Sequence, residues 1–296
     1  MTRIKTQYVG QWIDVTRSKQ FTFDGTVVTG LHGDSVTSAL LANDIWLQSR
    51  SFKYHRPRGP LTLCGQDANT LVQTPNTPNV LADRLEVEED LRVSAQHYTG
   101  WLRFDLSRLL DWFGRFLPVG FYYKAFFKPS GSWRWWEPLV RSAAGLGVSN
   151  LSVSAPYNDK VYAFCDIAVV GGGPAGLNAA LSAAEAGARV MLIEQEPYLG
   201  GSLSYHAFNG DMTATQLRRD ELIQAVYEHQ NIRVLVSATC NAWFSDHYLP
   251  VLTSGRLLKV RAKQTILATG SSEQLRCIQT QRPPGRNDVQ CARSLN

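Results

Sequence analysis

From Phe21 the chain reads FTFDGTVVTG, two short runs rich in β-branched and aromatic residues on either side of Asp24-Gly25. An Asp-Gly pair between two such runs is the signature of a tight hairpin. Gly33-Asp34-Ser35 follows, a turn that ends in a residue suited to cap a helix. From Val36 to Leu47 apolar residues stand at 36, 39, 40, 41, 45, 46 and 47, so the pattern predicts a helix with one buried face. Hairpin and helix at this spacing predict a small β-grasp-like module ending near residue 95, with any other small α+β unit as the alternative.

A second pattern lies in CDIAVVGGGPAGLNAALSAAEAGARVMLIEQE, residues 165–196. Ile167 to Val170 predicts a short buried strand, and Gly171, Gly173 and Gly176 form GxGxxG directly after it. An Ala-rich helix is expected from Pro174 to Ala186, with Gly187 as its stop. Arg189 to Ile193 reads as the next strand, and Glu194 stands at its end. In this arrangement Gly171 permits the tight turn, Gly173 lets a pyrophosphate approach the backbone, and Gly176 lets helix and strand pack closely. Pro174 and Ala175 open a helix whose N–H groups and positive dipole end favour phosphate. Glu194, 18 residues beyond Gly176, stands where an acid accepts hydrogen bonds from an adenosine ribose. A carboxylate there repels a 2′-phosphate, and Gln195 adds no positive charge, so NAD or FAD is favoured over NADP.

The next segment, EPYLGGSL, brings Gly200, Gly201 and Ser202, either a close backbone approach to a cofactor or an ordinary glycine turn. A helix over 214–229 and strands over 231–238 and 248–253 follow. KQTILATGS at 263–271 reads as an apolar strand ending in Ala268-Thr269-Gly270, the strand that in two-dinucleotide-domain oxidoreductases returns beside the cofactor.

Two stretches between these patterns are distinctive. SFKYHRPRGP at 51–60 gathers Lys53, His55, Arg56 and Arg58 around Tyr54. It reads as a solvated basic loop stiffened by Pro57 and Pro60, with an anion or subunit contact as the alternative. Residues 101–136 hold 13 aromatic side chains, interrupted by charges that bar them from crossing a bilayer. Packing inside the molecule is favoured there, with a subunit interface as the alternative.

Composition narrows the class. With 296 residues, 44% hydrophobic and 19% charged, the chain is globular and long enough for about two domains. No run of about 20 uncharged apolar residues occurs, and the N-terminus has no apolar signal region, so a soluble cytoplasmic protein with no membrane contact is expected. The net charge is +5, but residues 275–296 carry four arginines and one acid, which leaves no basic surface for nucleic acid. Cys64, Cys165, Cys240, Cys277 and Cys291 are scattered without CxxC, against a disulfide framework or a zinc site. His32, His55, His97, His206, His229 and His247 are dispersed, with no HExxH and no GxSxG, so no residue is singled out as catalytic or metal-binding.

FTFDGTVVTGLHGDSVTSALLAND, RSFKYHRPRGP, PVGFYYKAFF, EPLVRSAAGLG and the glycine segment through GGSL together resemble the N-terminal part of the alpha subunits of heterotetrameric sarcosine oxidases. The likeness runs from about Phe21 to Gln274. It implies an α/β with α+β architecture: a β-grasp, ferredoxin-like module followed by a partial Rossmann-type, glutathione-reductase-like domain that holds NAD noncovalently, with FAD as the alternative. The expected segments are a lead-in (1–20), the β-grasp module (21–95), an aromatic-rich connector (96–160), an incomplete dinucleotide domain (161–274) and an aberrant basic tail (275–296).

The resemblance further implies beta, gamma and delta partner subunits, with FAD and FMN on the beta subunit. On that resemblance the assembled enzyme is expected to demethylate sarcosine to glycine, with tetrahydrofolate and oxygen as co-substrates. Some relatives carry a [2Fe–2S] cluster held by four thiolates. Residues 20–95 hold only Cys64, so no Fe–S cluster is expected. The tail after Gln274 departs from the family pattern as a shifted reading frame would, so a truncated subunit, inactive alone, is expected. The alternatives are a subunit of a related opine, hydroxyproline or amine dehydrogenase, or a non-catalytic docking remnant.

Overall fold

The computed structural model describes residues 13–62, 65–112, 120, 126, 128–154, 157–205 and 212–271. Two compact units meet in sequence at Val153 and Ser154.

The first unit is built on a five-stranded mixed sheet. Its elements are β1 (Asp14–Phe23), β2 (Thr26–His32), α1 (Val36–Ala42), the short β3 (Ser49–Arg50) and β4 (Pro57–Arg58), then β5 (Leu71–Gln73), β6 (Val80–Leu81) and β7 (Leu91–Ala95). The sheet order is β2-β1-β7-β5-β6, with β3 and β4 as a separate ribbon. β1 and β7 run parallel, and the other neighbours are antiparallel. The hairpin forms as the pattern predicts: Phe23 pairs with Thr26, while Asp24 and Gly25 take φ of 46° and 78°. β1 begins at Asp14, so part of the expected lead-in already belongs to the sheet.

Ser35 caps α1, its hydroxyl accepting from the Ser38 N–H. Val36, Ala39 and Leu40 pack on Phe21, Phe23, Val28 and Val93. The helix ends at Ala42, five residues before the expected Leu47. The cause is local: the Asn43 side-chain amide donates to Ala39 O at 2.7 Å and to Thr29 O at 2.9 Å, and Asp44 turns left-handed. Ile45 still reaches the core, but Trp46 is 60% exposed.

The basic loop is not simply solvated. Arg50 and His55 are buried, and His55 Nδ1 lies 2.7 Å from Asp105 Oδ2. The Arg50 guanidinium donates to the carbonyls of Leu102, His55 and Arg103. Asp105 Oδ1 accepts from the N–H groups of Thr99 and Ser107. Residues 50–55 are thereby fastened to 99–107.

The aromatic stretch also departs from expectation. Trp101, Phe104 and Trp112 are exposed, and helix α2 (Trp133–Ala144) buries none of its residues. For these side chains the favoured internal packing does not occur. Phe113, Phe116, Phe121, Tyr122, Tyr123 and Phe127 lie outside the described residues, as does the tail from 275.

The second unit carries β8 (Asp159–Val170), α3 (Pro174–Glu185), β9 (Val190–Ile193), α4 (Met212–Glu228), β10 (Ile232–Leu235), β11 (Thr239–Cys240), β12 (Tyr248–Thr253) and β13 (Arg256–Leu267). Its six strands lie in the order β10-β9-β8-β13-β12-β11. The first four are parallel, and β12 and β11 continue as an antiparallel meander. β8 is much longer than the expected 167–170, because its first half pairs with the start of β13; Cys165 is therefore a buried strand residue. Of the expected strand over 231–238 only β10 forms; the chain turns at Ser237, left-handed at φ 47°, and β11 starts beyond it at Thr239.

Alternation along the strands divides the core. Val169, Val190 and Leu192 face Leu177, Ala180 and Ala184 of α3 and Leu222 and Val226 of α4. Ala168, Met191 and Ile193 pack with Leu249, Val251, Leu258 and Val260. At the entry end of the sheet, Asp166 binds Arg189 Nε at 3.2 Å and Lys263 Nζ at 2.9 Å, tying β8 to residues of its neighbours.

Candidate dinucleotide site

The exit ends of β8, β9 and β13 converge on the glycine turn. Gly171 N–H donates to Ile193 O, and Ala268 N–H donates to Val170 O, each at 2.8 Å. Gly171 takes φ 109°, and a Cβ on it would lie 2.2 Å from Ala268 O. A Cβ on Gly176 would lie 1.8 Å from Gly171 O. Both positions are crowded by backbone, which no side chain can relieve.

Gly173 differs. Its φ of −77° suits any residue, and nothing lies within 4 Å of where its Cβ would be. It is the N-cap of α3, no side chain caps the helix, and Pro174 occupies the first turn. The helix therefore presents its N-terminus and dipole beside open space, an arrangement suited to an anion. Ala175 is exposed on the same turn.

Glu194 reaches back to this turn. Its Oε2 accepts from Gly172 N–H at 2.5 Å, and its Oε1 from Glu196 N–H at 2.8 Å. Two backbone donors fix the carboxylate, and each oxygen keeps a further lone pair for a hydroxyl donor. Gln195 is half-buried beside it.

Gly200 and Gly201 are not an ordinary surface turn. Gly200 N–H donates to Gly172 O at 2.9 Å, and a Cβ on Gly201 would lie 2.9 Å from Gly173 Cα. Their φ values of 117° and 50° hold a short 3₁₀ turn, Gly201–Ser204, against the glycine turn, with Leu199 and Leu203 buried and Ser202 half-buried. Thr269 and Gly270 leave β13 exposed, and Gly270 turns left-handed at φ 76°. The structure thus brings Gly171, Gly173, Pro174, Ala175, Gly176, Glu194, Gly200 and Gly201 together.

Sequence reading missed Arg219. It is 3% exposed on α4, and a Cβ on Gly200 would lie 2.8 Å from its Cδ. The signal was present in the spacing: Thr215, Arg219, Leu222 and Val226 are the buried residues of α4, one face at helical period.

Comparison with known proteins agrees with this architecture. Residues 17–98 match the family described as 2Fe-2S iron-sulfur cluster binding domain, and residues 166–267 match FAD dependent oxidoreductase. A Fer2-like module followed by a Rossmann-like FAD-dependent oxidoreductase domain defines the class, an oxidoreductase subunit. L-proline dehydrogenase from P. horikoshii shares the fold, with a TM-score of 0.58 at 20% identity, covering 88% of this chain and 42% of that one.

Within that class the chain is a homologue of sarcosine oxidase subunit alpha over most of its length. It is 38% identical to the subunit of Rhizobium meliloti (strain 1021) over 275 residues, 86% of this chain and 28% of the relative. It is 25% identical to that of Corynebacterium sp. (strain U-96) over 94% of this chain and 26% of the relative. The chain thus spans little more than a quarter of the length of these relatives, and its two domains fit an N-terminal part.

The family match corrects one expectation. The first module was expected to hold no Fe–S cluster, on its count of thiols alone. Residues 17–98 instead match a 2Fe-2S iron-sulfur cluster binding domain, which points to a cluster and against that expectation. Among the described residues no group of three or more His, Cys, Asp or Glu side chains is placed to hold a metal ion, and Cys64 lies outside them. The described residues therefore do not by themselves assemble a ligand set for a cluster. Among the described residues no helix is long and apolar enough to cross a membrane.

Proposed function

We propose that the second unit binds the ADP half of NAD noncovalently. The pyrophosphate lies over Gly173 at the N-terminus of α3, opened by Pro174 and Ala175. Glu194 accepts from the adenosine ribose, and Gly200, Gly201, Ser202, Thr269 and Gly270 border the cofactor. The observation that carries this reading is the open space over Gly173, between two glycines whose own crowding leaves no such room. FAD is the second reading, favoured by the FAD-dependent oxidoreductase match over residues 166–267.

The chain serves, in this proposal, as the N-terminal part of an alpha subunit in a multi-subunit enzyme with beta, gamma and delta partners. The assembled enzyme oxidises sarcosine: two electrons pass to oxygen, giving hydrogen peroxide, while the methyl carbon passes to tetrahydrofolate as a methylene group and glycine leaves. The chain alone has no such activity. Homology to sarcosine oxidase subunits supports this part.

The test is isothermal titration of the full chain with NAD, NADP and FAD. NAD should bind more tightly than NADP because the Glu194 carboxylate meets the 2′-position. Preference for FAD would move the assignment to the second reading. Equal binding of NAD and NADP would refute the role of Glu194, and binding of none would refute the site. Hydrogen peroxide released from sarcosine by the purified chain would overturn the claim that it is inactive alone.

A further inference from the structure

We propose that Arg219 is a positioning residue for the pyrophosphate, acting through Gly200 and Gly201; this rests on the dinucleotide reading above. Gly173, under the open space, is met from below by Gly201, whose Cβ would lie 2.9 Å from Gly173 Cα. Gly200 is hydrogen-bonded to the same turn through Gly172 O at 2.9 Å. Beneath Gly200 lies the stem of Arg219, with Cδ and Cγ at 2.8 and 3.0 Å from where a Cβ would stand.

An arginine that is 3% exposed is uncommon on a helix with solvent along its other faces. Its guanidinium is turned to Asp220, with Nη2 and Nε at 2.8 and 3.0 Å from Oδ1. With the head bonded there, the methylene stem packs against Gly200. Long polar side chains commonly cover surface with their stems in this way. Gly200 is held at φ 117°, a conformation open to glycine and rarely to other residues, and its missing side chain is what lets the Arg219 stem lie so close. Arg219 thus sets the height at which Gly201 meets Gly173, and so the depth of the pyrophosphate seat.

The test compares Arg219→Ala, Arg219→Lys and Arg219→Met in the full chain, with NAD and AMP as probes. AMP retains the ribose contact to Glu194 but lacks the bridging pyrophosphate. Arg219→Ala should weaken NAD about tenfold and AMP less than about threefold, whereas loss of structure would weaken both alike. Lys and Met keep the stem, and should bind NAD within about twofold of the parent. Circular dichroism and a thermal melt establish that each variant folds.

If Arg219→Ala does not fold, the methionine variant decides: NAD binding near the parent supports the inference, and a tenfold loss overturns it. A folded alanine variant that binds NAD like the parent also overturns it, and leaves the dinucleotide reading intact. A parent chain that binds neither NAD nor AMP refutes that reading, and the inference falls with it.

Discussion

Gly173 and Gly176 lie three residues apart in one motif, yet the structure assigns them opposite consequences. A methyl group at Gly176 would stand 1.8 Å from Gly171 O, inside the backbone of the turn itself. To restore an ordinary contact α3 must retreat by roughly 1.5 Å, which separates Leu177, Ala180 and Ala184 from Val169, Val190 and Leu192. Overpacking of this kind costs about 1–3 kcal/mol, and a clash with the backbone of Gly171, which no side-chain movement relieves, places this case at the upper end. A methyl group at Gly173 meets nothing within 4 Å and needs no unusual φ. Gly173→Ala should therefore leave stability within about 0.5 kcal/mol of the parent. It puts a methyl where the pyrophosphate approaches, and should weaken NAD at least about tenfold, or about 1.4 kcal/mol. Urea denaturation reads the first quantity and calorimetric titration the second. Gly173→Ala binding NAD as the parent does would refute the placement of the ligand over this turn. Equal destabilisation by both substitutions would refute the distinction drawn between crowded and open glycines.

Four further outcomes follow from the same geometry. Glu194→Gln should weaken NAD by about tenfold, since hydrogen bonds to a charged acceptor contribute about 1.5–3 kcal/mol, and should narrow the preference over NADP; titration with both nucleotides checks it. Asp105→Ala strands the buried Arg50 and His55 and two backbone N–H groups, and should cost about 3–5 kcal/mol in urea denaturation; a loss below about 1 kcal/mol would show that the cluster is not a fastening. Hydrogen bonds from Arg189, then Lys263, hold the Asp166 carboxyl well below the ordinary range, so its contribution is present above the unfolded pKa of about 3.9 and is lost as pH falls through the depressed folded value. The melting difference between parent and Asp166→Asn should accordingly be present at pH 7 and shrink on acidification below about pH 4. Burial first, and Asp166 next, push the Cys165 thiol up to about 11, so iodoacetamide at pH 8 should leave Cys165 unlabelled until the chain is unfolded.

The candidate site was legible because backbone builds it. Where two main chains approach within 3 Å of a missing Cβ, only glycine serves, so the crowding at Gly171 and Gly176 is written directly in the sequence. The hairpin at Asp24-Gly25 was readable for a related reason, since two successive left-handed residues leave few choices. The end of α1 was not. Apolar periodicity continues to Leu47, and a single Asn43 amide, bonding across to β2 and back along the helix, ends it at Ala42. A side chain that competes with the backbone for its hydrogen bonds leaves no trace in a hydrophobic pattern.

The buried charges escaped for a different reason. Charge composition reads the loop around His55 as solvated, because an unpaired ion is costly to bury and the residue that pairs it lies far along the chain. Asp105 is fifty residues from His55, and nothing in KYHRPRG names it. The cost of burial is met by satisfying each donor: Arg50 donates to three carbonyls, and Asp105 receives His55 and two N–H groups. Such a cluster specifies one arrangement of the loop, because any other leaves several groups unpartnered at once. The two units therefore use polar groups differently. In the second, glycines clear space and leave a helix N-terminus open beside it. In the first, a closed cluster fixes residues 50–55 against 99–107, with Trp101 and Phe104 exposed on that same segment.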